Sequence, residues 1–263
     1  MAETTFTELI TMKVEKMMLL CAIGIYSQTK HTFRIFFGGV MYMQTQTNAQ
    51  AILATLKDTL SLPRLVKVGA DAFETLVVTI LSQNTADANT ERAYRKLSER
   101  FKISPEVLAK AEIGEIEDCI RVAGLYQSKS RAIQAASKII LEKFGGNLNS
   151  ILALPVEEAR RTLMEMPGVG PKTADVVLMF SAGKPTIPVD THVNRVSKRL
   201  GLAPAKGDYE AVRCSLQSHF QPKDYALVHM LLISHGRKTC KAQKPQCSAC
   251  PVSDVCPSKG GSA

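Results

Sequence analysis

Four of the seven cysteines, Cys240, Cys247, Cys250 and Cys256, fall within seventeen residues of one another, while Cys21, Cys119 and Cys214 are scattered. The spacing Cys240-x6-Cys247-x2-Cys250-x5-Cys256 puts four soft thiolates in one short loop, the ligand set of a [4Fe–4S] cluster or a tetrahedral zinc. Structural zinc sites more often present two close pairs, and here only Cys247 and Cys250 make one, so the spacing favours the cluster, with zinc second and disulfides third. A second place where chemistry is possible is the stretch Leu163-Met164-Glu165-Met166-Pro167-Gly168-Val169-Gly170-Pro171-Lys172-Thr173. Gly168 and Gly170 permit positive φ and close backbone approach, and Val169 between them is able to plug the groove between two helices. Lys172 falls in the first turn of the second helix, beside unpaired N–H groups and a positive dipole end that suit a phosphate and disfavour an ammonium. From the residues alone, Lys172 is a phosphate contact or an amine nucleophile. Asp190, eighteen residues further on, is a helix-terminal charge or its chemical partner.

These groups need a frame, and from about residue 45 to 236 apolar positions recur three and four apart with no sustained alternation, which predicts an all-α protein. Ser104 and Pro105 open one helix, Gly124 closes the next, Ser128 precedes another that stops at Phe144, and Pro155 opens one reaching Met166. In that last helix Val156, Ala159, Leu163 and Met166 line one face. Pro171 starts a helix that Gly183 ends, with Ala174, Val177, Leu178 and Ser181 aligned. Pro167-Gly168-Val169-Gly170 alone joins these two, so they fold back as an αα-hairpin. Thr191 is expected to cap a helix to Leu200, Asp208 one to about Phe220, and Pro222 to start one ending at Ser234. From Gly236 onward periodicity is lost and five Lys/Arg face one Asp, so something other than a hydrophobic core orders the cysteine-bearing tail.

The 263 residues suffice for one large domain or two modest ones, and 45% hydrophobic with 22% charged residues is an ordinary globular composition that excludes disorder and small secreted scaffolds. A balance of 33 Lys+Arg against 24 Asp+Glu, net +9, favours a polyanionic partner such as nucleic acid. The longest apolar run, Met17 to Tyr26, is about half of what a bilayer requires, so no membrane span is expected. Residues 1–43 resemble nothing downstream and form an N-terminal extension, with Met41 and Met43 as alternative starts. They carry neither a cleavable leader nor the Arg-rich composition of a transit peptide, which places the expected protein inside the cell, in cytoplasm or nucleoid.

With its surroundings, the hairpin resembles the helix-hairpin-helix of DNA-repair glycosylases. The pairing of Pro167-Gly168-Val169-Gly170-x-Lys172-Thr173-Ala174 with Val189-Asp190-Thr191-His192 is similar to the endonuclease III family. So are Gly124-Leu125-Tyr126-x-Ser128-Lys129 and His235-Gly236-Arg237-x-Thr239-Cys240, and the likeness runs from about residue 70 to 256. It implies a two-lobed helix-hairpin-helix glycosylase fold, with a six-helix lobe over 66–184 that contains the hairpin at about 156–182. A discontinuous iron–sulfur lobe would take 44–65 and 185–263, with the active site between the lobes. The four cysteines would then hold a [4Fe–4S] cluster that organises a basic loop, and Lys238, Lys241 and Lys244 would touch DNA phosphates, as would the turn at Gly168, Val169 and Gly170.

The resemblance also assigns the reaction. A base glycosylase breaks the bond from deoxyribose C1′ to a base through a transition state with positive charge on the sugar, so it needs a nucleophile and a nearby negative charge. Lys172 takes the first role and Asp190 the second. The resulting Schiff base acidifies the C2′ proton and permits β-elimination, which implies a bifunctional glycosylase/AP lyase acting on oxidised pyrimidines in duplex DNA, as a monomer. A mismatch glycosylase is the alternative within the class, against which Lys172 weighs, and a non-catalytic iron–sulfur DNA-binding protein is the alternative outside it. Extruding a base leaves a hole to be filled. Leu125 after Gly124 has the apolar character of a wedge, and Asn84 stands where the family carries a glutamine, with Gln83 beside it as a fallback. Asparagine is shorter than glutamine but offers the orphaned base both a donor and an acceptor.

Overall fold

Every regular element among the described residues is helical. The computed structural model describes residues 39–60 and 71–260, with side chains from residue 48 onward. Residues 1–38 of the N-terminal extension, the expected lobe boundary at 65/66 and the last three residues lie outside them. Helix α1 (Gly39–Thr59) runs through Met41 and Met43 without a break. The chain divides into two compact units, one holding the described residues of Met1–Pro63 and Val189–Ala263, the other those of Arg64–Pro188.

The continuous unit is built round α2 (Ala72–Leu81), which starts where Asp71 accepts hydrogen bonds from the N–H groups of Phe73 at 2.7 Å and Glu74 at 3.3 Å. All of α2 except Glu74 and Val78 is buried, so it is the helix the others pack around. They are α3 (Asp87–Arg100), α4 (Pro105–Leu108), α5 (Ile113–Ile120), α6 (Tyr126–Phe144), α7 (Leu148–Leu152), α8 (Val156–Met164) and α9 (Pro171–Ala182). Six of the eight have at least eight residues, and α4 and α7 are single turns. One apolar core takes residues from all of them, including Leu76, Leu97, Ile116, Ile133, Ile151, Leu163 and Val177. Helix α6 starts at Tyr126 and takes in Ser128, which was expected to precede it, because Leu125 turns the chain with φ 48° and its carbonyl already accepts the Lys129 N–H at 3.0 Å.

The second unit brings α1 together with α10 (Thr191–Arg199), α11 (Tyr209–His219) and α12 (Tyr225–Lys238), over a core that includes Ile52, Leu56, Val193, Val196, Leu216 and Leu231. The cap of α10 is Asp190 and not the expected Thr191, since an Asp190 carboxylate oxygen accepts the Val193 N–H at 2.7 Å. Asp208 caps α11 in the same way through the Ala211 N–H at 2.9 Å. Helix α12 is preceded by a 3₁₀ turn at Pro222–Asp224 and continues four residues beyond the expected stop at Ser234. Burial explains the extension: His235 and Gly236 are buried, and a side chain at Gly236 would meet His192 Cβ at 3.0 Å and Val196 Cγ2 at 3.1 Å on α10. After α12 come two 3₁₀ turns, Cys247–Ala249 and Ser253–Val255, and among residues 241–260 Val252 alone is buried.

Candidate active site

The hairpin of α8 and α9 is fixed by a buried charge pair. Arg160 Nε donates to Asp175 Oδ1 at 3.0 Å and Thr186 Oγ1 donates to the same oxygen at 2.8 Å, with Asp175 fully buried. Breaking such a pair leaves an uncompensated charge inside, so it locks the two helices in one arrangement. In the connecting turn the two glycines differ. Gly168 has φ +80° and its backbone lies so close to α6 that an added Cβ would stand 2.5 Å from Ala132 Cβ. Gly170 has an extended backbone, φ −88°, and open space where a Cβ would go, so the positive φ expected of both belongs to Gly168 alone. Val169 is 4% exposed and its N–H bonds to the Met166 carbonyl at 3.0 Å, so its side chain belongs to the core and the turn's outer surface is left to the glycines.

Helix α9 begins at Pro171 with Gly170 as a cap that supplies no side-chain hydrogen bond. Lys172 and Thr173 lie in the first turn, at the positive dipole end of the helix. Lys172 is the second residue of the helix and half-buried. The side chain of Gln83 ties this turn to the α2–α3 loop, donating from Nε2 to the Gly168 carbonyl at 2.9 Å and to Thr173 Oγ1 at 3.2 Å. Its neighbour Asn84 is exposed with φ +50°. Asn84 is not the cap of α3, whose N-cap is Ala86. Leu125 is 61% exposed, the most exposed of the large apolar side chains among the described residues, and has φ +48°. Two non-glycine residues in the left-handed region on two exposed loop tips of one unit are uncommon and point to function.

In the other unit Asp190 sits half-buried at the start of α10, with one carboxylate oxygen held by its capping bond. On the same helix Arg195 donates to the carbonyls of Gly236 at 3.1 Å and Cys240 at 3.1 and 3.2 Å. One turn on, Arg199 donates to the carbonyls of Lys241 at 2.7 Å and Ala242 at 3.1 Å and approaches Cys240 Sγ at 3.6 Å. The backbone of the cysteine loop thus hangs from two arginines. Lys238 and Lys241 are exposed, as is Lys244, which has φ +49°.

The cysteines suit a polynuclear group. Cys240, Cys247, Cys250 and Cys256 line one cavity of about 130 Å³ together with Arg199, His235 and Pro245. All four are free thiols, and among the described residues no three His, Cys, Asp or Glu side chains are close enough to grip a single metal ion. Four sulfurs spread round a common space suit the ligand set of a [4Fe–4S] cluster. Burial raises the Cys250 and Cys256 thiols above their ordinary range, and the neighbouring cysteines push the same way, so thiolates form there in company with a bound cation.

Several of these groups escaped the sequence. Arg195 and Arg199 were legible as basic residues four apart on one helix face, but nothing local shows which backbone they hold. Gln83 stood out only as a substitute for Asn84, and Lys129 only as part of a motif.

Residues 77–222 match the family model described as HhH-GPD superfamily base excision DNA repair protein, and residues 240–256 that of the iron-sulfur binding domain of endonuclease III. Endonuclease III of Sulfolobus acidocaldarius is 38% identical over 187 residues, 71% of this chain and 82% of that protein. The Bacillus subtilis enzyme is 38% identical over 189 residues, 72% and 82% of the two chains. A solved non-covalent endonuclease III–DNA complex aligns at TM-score 0.71 and 33% identity, covering 81% of this chain and 95% of that one. A trapped endonuclease III–DNA covalent intermediate aligns at TM-score 0.68 and 32% identity, covering 82% and 95%. The fold and the hairpin define a helix-hairpin-helix base-excision protein. Within that class the chain belongs to the endonuclease III family. It is a DNA glycosylase/AP lyase of base excision repair and carries a [4Fe–4S] cluster.

Proposed function

We propose that this enzyme removes oxidised pyrimidines from duplex DNA with Lys172 as nucleophile and Asp190 as the accompanying carboxylate. The observation that carries the assignment is the setting of Lys172, a half-buried amine in the first turn of a helix that opens without a capping side chain. A phosphate of the target strand meets the positive dipole end of that helix, and the same dipole favours the neutral amine over the ammonium. The amine attacks C1′ of the extruded nucleotide as the C1′–base bond breaks, and the base leaves with its electron pair. The capping bond to the Val193 N–H holds one oxygen of Asp190, and the other takes the proton from the attacking nitrogen and faces the sugar cation. The sugar ring opens to a Schiff base on Lys172, loss of the C2′ proton follows, and the 3′ C–O bond breaks in β-elimination.

Cys240, Cys247, Cys250 and Cys256 hold the cluster, whose contribution is four metal–thiolate bonds that fold a loop with almost no core of its own. Lys238 at the end of α12 and Lys241 and Lys244 on the loop so ordered are then available for phosphate contact, joined by the hairpin turn at Gly168 and Gly170 with Val169 as its buried plug. Leu125 wedges into the stack and Asn84 faces the orphaned base; the exposure of both and their left-handed backbones support this reading. The enzyme works as a monomer on the DNA of the cytoplasm or nucleoid, and among the described residues no helix is long and apolar enough to cross a membrane.

Borohydride reduction during turnover tests the assignment. Wild-type protein is expected to form a covalent adduct with abasic or lesion-bearing duplex. Lys172→Ala abolishes it, and Asp190→Asn slows it at least a hundredfold with DNA affinity kept within about threefold. Trapping that persists in Lys172→Ala would assign the chemistry to another amine.

A further inference from the structure

We infer that Lys129 is a positioning residue for base extrusion, a buried cross-brace that holds the Asn84 and Leu125 loop tips at a fixed separation. The inference rests on the reading that these two side chains fill the space left by the extruded nucleotide. Lys129 lies one turn into α6, four residues after Leu125, and is 3% exposed. Its Nζ donates to the Leu81 carbonyl at 2.8 Å and the Ala123 carbonyl at 2.9 Å. Leu81 is the last residue of α2, three before Asn84; Ala123 is the last residue of the 3₁₀ turn Arg121–Ala123, two before Leu125. One nitrogen thus joins the roots of both loops.

The choice of a lysine here has a physical reason. Both carbonyls end helical segments and have lost their intrahelical donors, so each is an orphan acceptor at a negative dipole end. An ammonium satisfies both at once and matches the sign of the dipoles. An apolar residue of the same length would fill the space and leave two buried carbonyls unpaired. Burial opposes the charge and pushes the Lys129 pKa down, which two charge-assisted hydrogen bonds offset.

The brace is placed where strain has to be held. Leu125 at φ +48° occupies a backbone region that branched side chains disfavour and that lasts only where the surroundings over-determine it, and Asn84 at φ +50° sits in the same region, which asparagine enters more readily. Gln83 anchors the first loop to the hairpin turn through the Gly168 carbonyl and Thr173 Oγ1. Lys129 anchors it to the second loop. A wedge and an orphan-facing side chain must enter the duplex at one fixed spacing, because successive base pairs offer no tolerance, so the brace acts on extrusion and not on the chemistry at the sugar.

Single-turnover cleavage of two duplexes tests this, one with an oxidised thymine paired to adenine and one with a ready-made abasic site. Lys129→Met is expected to slow the first at least tenfold and the second by less than twofold, and to cut the fluorescence rise of 2-aminopurine beside the lesion. Lys129→Arg, which keeps charge and donors, should recover the first rate to within threefold of wild type. Combined with Leu125→Ala, Lys129→Met should add less than a further twofold, since both act through one wedge. Equal slowing on both substrates, or a lowered Tm with unchanged rates, would make Lys129 a purely structural residue and overturn the inference. If Lys129→Met does not fold, Lys129→Gln, which loses the charge but keeps two N–H donors on a shorter side chain, is read against the same outcomes. Leu125→Ala and Asn84→Ala alone separate the two levels. If they slow both substrates alike, the wedge reading itself fails. If they are selective while Lys129→Met is not, only the brace fails.

Discussion

The hairpin and the cysteine loop, both proposed to present groups to DNA phosphates, are held in place by opposite means. The hairpin rests on a core fed by every helix of its unit, an internal Arg160–Asp175 pair and a glycine in contact with α6. The loop has one buried apolar residue, Val252, hangs from Arg195 and Arg199, and encloses a cavity walled by four thiols. One surface is held in place by burial and the other by ligation. The lesson is that the hairpin should tolerate loss of metal and the loop should tolerate loss of core packing elsewhere.

Removing the cluster should give the largest effect. Cys247→Ala, or iron chelation, is expected to make residues 240–256 exchange amide hydrogens at nearly unprotected rates and to weaken DNA binding at least tenfold, with protection in α2 and α9 unchanged. Native protein purified without oxygen should be brown with about four irons per chain, and colourless protein with one zinc would place the loop in another class. Next comes Asp175→Ala, which removes the buried carboxylate that accepts from Arg160 Nε and Thr186 Oγ1 and should cost about 3–5 kcal/mol in denaturant unfolding while iron content stays at the wild-type value. Iron loss in parallel would show that the two regions do not depend on separate forces.

Gly168→Ala should be smaller, about 1–3 kcal/mol, from the contact with Ala132 and the positive φ, and it should also weaken DNA binding because the turn must shift. Gly170→Ala, with open space and an extended backbone, is expected to fall within about 0.5 kcal/mol, so the pair measures which glycine the turn requires. Asp208→Ala removes the cap of α11 and should cost about 1 kcal/mol in thermal unfolding with trapping activity intact. Activity lost in that variant would connect α11 to the chemistry, contrary to the arrangement proposed here.

Much of this molecule is written in short-range features. The helical frame, the hairpin at Val156–Ala182 and the four-cysteine loop follow from apolar periodicity, from a four-residue connection that leaves two helices no choice but to fold back, and from ligands so close in sequence that chain topology cannot separate them. Helix ends were legible only within a few residues, and Asp190 rather than Thr191 capping α10 was decided by which oxygen reached the Val193 N–H. What only the tertiary structure decided has partners distant in the chain. Lys129 reaches a carbonyl 48 residues away, Gln83 a hydroxyl 90 away and Arg195 a carbonyl 45 away. That Gly168 and not Gly170 must lack a side chain depends on Ala132 in another helix. Periodicity and spacing record what each segment does with its own neighbours, whereas a buried donor's acceptor is chosen by packing between segments, which no local pattern encodes.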